Sequence, residues 1–99
     1  MKIRWTERAV SDLEPIHNYI ARDSTQAASK TIEAILSRIE TLLRFPALGR
    51  PLPEPGSREL MEGSFGVAYQ VADDALVIWG VRHTSMNFGT FLRSLREGS

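Results

Sequence analysis

The sequence predicts an α+β fold in which an antiparallel α-hairpin packs on a mainly antiparallel sheet. Two observations carry that expectation. Residues 57–83 read as three consecutive strands, with large apolar residues at every second position in Phe65-Gly66-Val67-Ala68-Tyr69-Gln70-Val71 and an unbroken apolar run in Leu76-Val77-Ile78-Trp79-Gly80-Val81. Ahead of them, Ala28, Ile32, Ile35, Ile39 and Leu42 recur at helical spacing. With the elements at either end, the predicted order is β-α-α-β-β-β, followed by a short C-terminal helix.

At the N-terminus, Lys2-Ile3-Arg4-Trp5 alternates polar and apolar, which predicts a short strand with Ile3 and Trp5 facing inward. Thr6 is placed to cap a helix, and Glu7 suits its positive end. Ala9, Leu13, Ile16 and Ile20 continue as a helical stripe through Pro15, so a kinked helix from about Glu7 to Arg22 is expected. An interior proline loses a backbone hydrogen bond at roughly 3 kcal/mol.

Asp23 with Gln26 resembles a capping box that starts the second helix, and Phe45-Pro46 ends it. Leu36 and Leu43 widen its apolar stripe, while Glu33, Ser37, Glu40 and Arg44 lie opposite. A short connection between two helices makes an antiparallel pair, whose surplus apolar stripe needs a sheet to cover. Residues 47–56, rich in Pro and Gly, read as a loop, and Ala72-Asp73-Asp74-Ala75 as a hairpin turn. After the strands, Phe88, Phe91, Leu92 and Leu95 fit an amphipathic helix of about two turns, with Asn87 as cap and Gly98 beyond it. So short a helix must dock on its own domain or on a partner, or not form.

Residues 1–99 make one domain with one core. The apolar fraction is ordinary, and 12 acids balance 12 bases. A chain that grips nucleic-acid backbone usually carries a basic excess, so direct nucleic-acid binding is not expected. All of the bases but Lys2 and Lys30 are Arg, which suits planar contacts to carboxylate or phosphate. With no cysteine, thiol chemistry and Cys-held zinc are excluded, and two distant histidines without a carboxylate cluster predict no metal and no cofactor. No apolar run approaches the ~18 residues of a membrane span, and the N-terminus lacks a signal core, so the expected location is the cytoplasm.

The residues that invite a functional reading sit near the end of the strands. His83 continues the face of Val77, Trp79 and Val81, and is either a strand-end histidine satisfied by backbone or a base. Arg82 shares a face with Leu76 and Ile78, and either bridges to Glu59 or Glu62 or meets a target. Arg58 has the same two readings, and Arg50 either fixes the proline-rich loop or touches a partner. Trp5, Trp79 and Tyr69 are expected in the core or on a sheet face.

The chain resembles toxins of the ParE/RelE superfamily, the toxic half of type II toxin–antitoxin pairs. The likeness is carried by Ile3-Arg4-Trp5-Thr6 with Asp12-Leu13 and Tyr19-Ile20-Ala21, and by Ile39 and Leu42 followed by Phe45-Pro46-x-Leu48-Gly49-Arg50-Pro51. It continues in Arg58-Glu59-Leu60, in Gly63-x-Phe65-x-Val67-x-Tyr69 and in Val81-Arg82-His83. The resemblance implies an α-hairpin on a mainly antiparallel sheet and a small antitoxin, encoded by an adjacent gene, that wraps the toxin. A homodimer or a higher toxin–antitoxin assembly is compatible with it.

The superfamily divides by activity. RelE-like members cleave mRNA on the ribosome, whereas ParE-like members bind protein, with DNA gyrase as the family's described target. RelE-like strands tend to carry bases where this chain has Ser57-Arg58-Glu59-Leu60-Met61-Glu62, and many members place Arg after the aromatic where this chain has Gly66. Cleavage through a 2′-hydroxyl needs a base, an acid and cations for the phosphorane. Only Arg58, Arg82 and His83, with Arg50 near them, offer themselves. The ParE-like reading is therefore favoured, with no catalytic residue, with Arg50, Arg58, Arg82 and His83 as target contacts and Phe88, Phe91, Leu92 and Leu95 as the antitoxin surface. The alternatives are a RelE-like endoribonuclease using Arg58, Arg82 and His83, and a non-toxic interaction domain of the same fold.

Overall fold

The computed structural model describes residues 1–97. Its elements are β1 (Lys2–Trp5), α1 (Glu7–Ala21), α2 (Thr25–Glu40), a 3-10 turn (Thr41–Leu43), β2 (Arg50–Pro51), β3 (Ser57–Glu62), β4 (Phe65–Ala72), β5 (Ala75–His83) and α3 (Phe88–Glu97). The strands form one sheet in the order β1-β5-β4-β3-β2, with β1 parallel to β5 and every other pair antiparallel. The expected α+β architecture is present, with one strand more than the sequence suggested. The extra strand, β2, lies inside the proline-rich loop, where Arg50 and Pro51 pair with Glu59 and Arg58. A proline is tolerated there because the strand is at the sheet edge.

Thr6 joins sheet to helix. Its Oγ1 accepts from Ala9 N–H (3.1 Å) as the cap of α1 and donates to the carbonyl of Ile78 (3.0 Å). α1 then runs through Pro15 without ending, with the proline on its exposed side. The cap of α2 is Ser24 rather than Asp23. The N–H groups of Asp23 and Ser24 both bond Ile20 O to close α1, and Ser24, in extended backbone, accepts from Ala27 N–H (3.0 Å). At its far end α2 stops one turn before Phe45 and tightens into the 3-10 turn, where Thr41 Oγ1 donates to Arg38 O at 2.6 Å.

The two helices cover one face of the sheet. Between them and the strands lie Ala9, Ile35, Ile39, Leu42, Leu60, Val67, Tyr69, Leu76, Ile78 and Val81, with Ile3 and Trp5 packed against the same cluster. Leu36 and Leu43 do not join it. They are exposed, as is Val71, although its register partner Leu76 is fully buried.

A β-bulge in β5 resets the facing of everything beyond it. Ala68 pairs with Gly80 but Tyr69 pairs with Ile78, so Trp79 is the extra residue. Leu76 and Ile78 face the helices before the bulge, and Val81 does so after it. Arg82 therefore points to the opposite face, not to that of Leu76 and Ile78. His83 falls on the Val81 side without sharing the face of Val77. Asp12 on α1 secures the distorted strand. Its carboxylate accepts from Val81 N–H (2.8 Å) and is held by Arg8 Nε at 2.9 Å and 3.0 Å. Asp12→Ala leaves that N–H without its acceptor and should lower stability by about 1–3 kcal/mol, read from denaturant midpoints at constant m.

The second face is covered by α3, which docks on its own domain. Asn87 Oδ1 accepts from Thr90 N–H (2.9 Å), as expected of a cap, while Gly98 lies outside the described residues. The helix is longer than two turns because Phe91, fully buried, anchors its middle. Gly80 makes room for it. A Cβ there would come within 2.6 Å of Leu95 Cδ2 and 3.3 Å of the Phe91 ring. Both faces of β5 are thus buried, which explains its uninterrupted apolar run.

Candidate functional site

Beyond the bulge, Arg82 meets an acid. Glu59, on the α3 face of β3, is 1% exposed and receives Arg82 through two of its guanidinium nitrogens, Nε to Oε2 at 2.8 Å and Nη2 to Oε1 at 3.2 Å. Arg50 on β2 adds Nη2 to Oε1 at 2.7 Å. The carboxylate lies over Gly66, which is in register with Arg82. A Cβ at Gly66 would come within 2.8 Å of Glu59 Cδ, so the missing arginine at this position and the buried glutamate are matched features. Burial pushes the Glu59 carboxyl up, but the hydrogen bonds from Arg82 and Arg50 and then their positive charges outweigh it, and the net displacement is downward.

Phe88, at the start of α3, roofs the cluster. Its ring centroid is 4.7 Å from the guanidinium carbon of Arg50 and 4.9 Å from that of Arg82. At the other end of the helix, Arg96 approaches Glu54 at 3.5 Å. Leu92 and Leu95 line a groove of about 180 Å³ with Leu52, Pro53 and Trp79. Of the four residues expected to meet an antitoxin, Phe91 is therefore buried, Phe88 is stacked on arginine, and Leu92 and Leu95 are half-exposed.

Arg58 and His83 lie elsewhere. Arg58 is in register with Tyr69, and Tyr69 with Ile78, well along β5 from His83. Its Nη1 donates to Gly49 O (2.8 Å) and Ala47 O (3.3 Å). Beside it, Tyr69 donates its hydroxyl proton to Pro46 O (2.7 Å) and accepts from Gly49 N–H (2.9 Å). Burial pushes the Tyr69 phenol up, against the Gly49 hydrogen bond and the charge of Arg58.

His83 is exposed, its ring edge-on to Phe65 at 5.3 Å. Its Nδ1 accepts from Ser85 N–H (3.0 Å) and sits 2.8 Å from Ser85 Oγ, which leaves Nε2 to carry the proton of the neutral ring. The three residues named for RNA cleavage thus aim their polar atoms at three different places. What the structure brings together instead is Arg50, Glu59, Arg82 and Phe88. Sequence reasoning weighed Arg82 with Glu59, but it did not bring Arg50 or Phe88 to the same point. Alternation with Leu60 set Glu59 on the face away from the helical pair, so its burial was not marked in the sequence.

Comparison with known proteins places this geometry in context. The family model for the ParE toxin of type II toxin–antitoxin systems matches residues 3–88. The Sinorhizobium fredii protein Y4kP is 32% identical over 79 residues, covering 78% of this chain and 82% of that protein. Toxin RelE2 of Caulobacter vibrioides is 32% identical over 85 residues, covering 85% and 96%. A solved chain of the chromosomal ParDE toxin–antitoxin system from P. aeruginosa superposes with a TM-score of 0.74 at 25% identity, covering 84% of this chain and 95% of that one.

Proposed function

Because the chain belongs to the family of ParE toxins of type II toxin–antitoxin systems, we propose that it acts by binding a target protein, DNA gyrase being the family's described target, and not by cutting RNA. The burial of Glu59 carries this reading. A phosphoryl-transfer site aims cations at the charge that develops on the substrate. Here Arg82, and with it one edge of Arg50, is committed to an internal carboxylate and covered by a ring. Arg58 is engaged with backbone carbonyls, and the contacts of the His83 ring nitrogen among the described residues are to Ser85 and not to a carboxylate. The exposed part of Arg50 and the exposed His83 are left for contact with a protein surface.

A cognate antitoxin is the expected partner, in line with the toxin–antitoxin system to which the P. aeruginosa neighbour belongs. The groove bordered by Leu92 and Leu95 suits an antitoxin helix by helix-in-groove docking. No helix among the described residues is long and apolar enough to cross a membrane, and the proposed site of action is the cytoplasm.

The deciding experiment expresses the protein under induction and assays gyrase supercoiling beside ribosomal mRNA cleavage. Loss of supercoiling without mRNA cleavage is the expected result. Cleavage that His83→Ala abolishes would make the protein a RelE-like ribonuclease, the reading that the name of the Caulobacter relative favours. His83 is exposed, so this variant keeps its fold. Silence in both assays with antitoxin binding retained would identify an interaction domain without toxicity.

A further inference from the structure

The connection from α2 to β2 is held firmly from beneath and is apolar on top. Leu48 N–H bonds Phe45 O (3.1 Å), so residues 45–48 close one β-turn with Pro46 at its second position. Tyr69 and Arg58 reach up from the sheet and engage the backbone of Pro46, Ala47 and Gly49. The backbone of this turn is fixed, yet Phe45 is 61% and Leu48 46% exposed, with Leu43 at 40% just before them. The turn sets Phe45 and Leu48 within about 7 Å of each other, Cα to Cα. Apolar side chains displayed on a rigid backbone lose little further freedom on binding, which is the condition that lets a small contact be strong.

The charge around the turn is one-sided. No acid occurs between Glu40 and Glu54, while Arg44 and Arg50 flank the turn and Arg58 lies under it. Glu59, in register with Arg50 on the adjoining strand, is buried and already paired. The chain as a whole has a net charge of +0, so this is a local excess. We infer that the Phe45–Leu48 turn is an interaction surface that inserts into an apolar pocket on an acidic segment of a partner protein. A second copy of the chain does not fit, because it would bring the same arginines face to face. Nucleic acid fits less well, because of the three exposed apolar residues Phe45 alone offers a ring, and Leu43 and Leu48 give successive bases nothing to stack on. The surface stands whatever target the toxin takes.

The test titrates ¹⁵N-labelled protein with a synthetic amphipathic peptide bearing Leu and Phe on one face and Glu elsewhere. The controls are the same peptide with Lys in place of Glu, a single-stranded oligonucleotide and a dilution series of the protein alone. The acidic peptide should shift the amides of residues 43–50 saturably, and Phe45→Ala and Leu48→Ala should each weaken binding about tenfold with unchanged thermal unfolding. Shifts absent from that turn, equal binding of the Lys peptide, or affinity untouched by the two substitutions would overturn the inference. So would preference for the oligonucleotide or the same shifts on raising protein concentration, which would reassign the surface to nucleic acid or to self-association.

Discussion

Glu59→Ala should lower the unfolding free energy by about 3–5 kcal/mol, the scale seen when one partner of a buried ion pair is removed. Arg82 is then left inside the fold with its charge uncompensated, under Phe88 and beside α3. Urea titration of the variant beside the parent protein measures the loss. Replacing both partners, as Glu59→Leu with Arg82→Met, should recover most of it, because well-packed apolar residues substitute for a buried pair at little net cost. If the double variant is no better than the single one, the glutamate is needed for shape and not for charge. The acid limb follows from the same group. Its folded pKa lies below the usual 4.5, so its stabilisation is complete above that value and is lost as pH falls through the folded one. Stability should therefore fall less steeply with acid in Glu59→Leu/Arg82→Met than in the parent.

Tyr69→Phe is the second large effect, at about 2–3 kcal/mol. One hydroxyl accepts from the buried Gly49 N–H and donates to Pro46 O, and phenylalanine satisfies neither. Because burial raises the phenol above its usual 10.0, its contribution is full below that value and is lost as pH rises through the folded one. The parent should soften in alkali where Tyr69→Phe does not, which pH-dependent thermal unfolding will detect. Hydrogen exchange at Leu48 and Gly49 should rise in the variant, since the hydroxyl is what pins the turn.

Both predictions concern contacts that a linear reading reaches only in part. The helical stripes, the alternation in β4 and the apolar run of β5 were legible because each depends on neighbours within one element. Asp23 misled because Ser24 beside it is an equally good cap, and the choice fell to the turn that closes α1. β2 was invisible because two residues carry no period and one of them is proline. The facing of Arg82 could not be read at all. Periodicity assumes a regular strand, and the extra residue at Trp79 reverses the phase after it. The convergence of Arg50, Glu59, Arg82 and Phe88 depends on strand register and on where α3 docks. Gly66 looked like a lost arginine, yet it is the space that the buried glutamate occupies.

The order in which the strands are made also matters. β1 is synthesised first, but Lys2 pairs with Ala75 and Trp5 with Ile78, on the strand made last. On the ribosome α1 and α2 can emerge and meet early, while β1 has no neighbour in the sheet until β5 leaves the exit tunnel. A nascent chain halted before Ala75 would hold a helical pair and a first strand without the neighbour it pairs with. The five-stranded sheet can therefore close only once residues 75–83 have been made, and a chain cut short before them lacks the strand that joins β1 to β4.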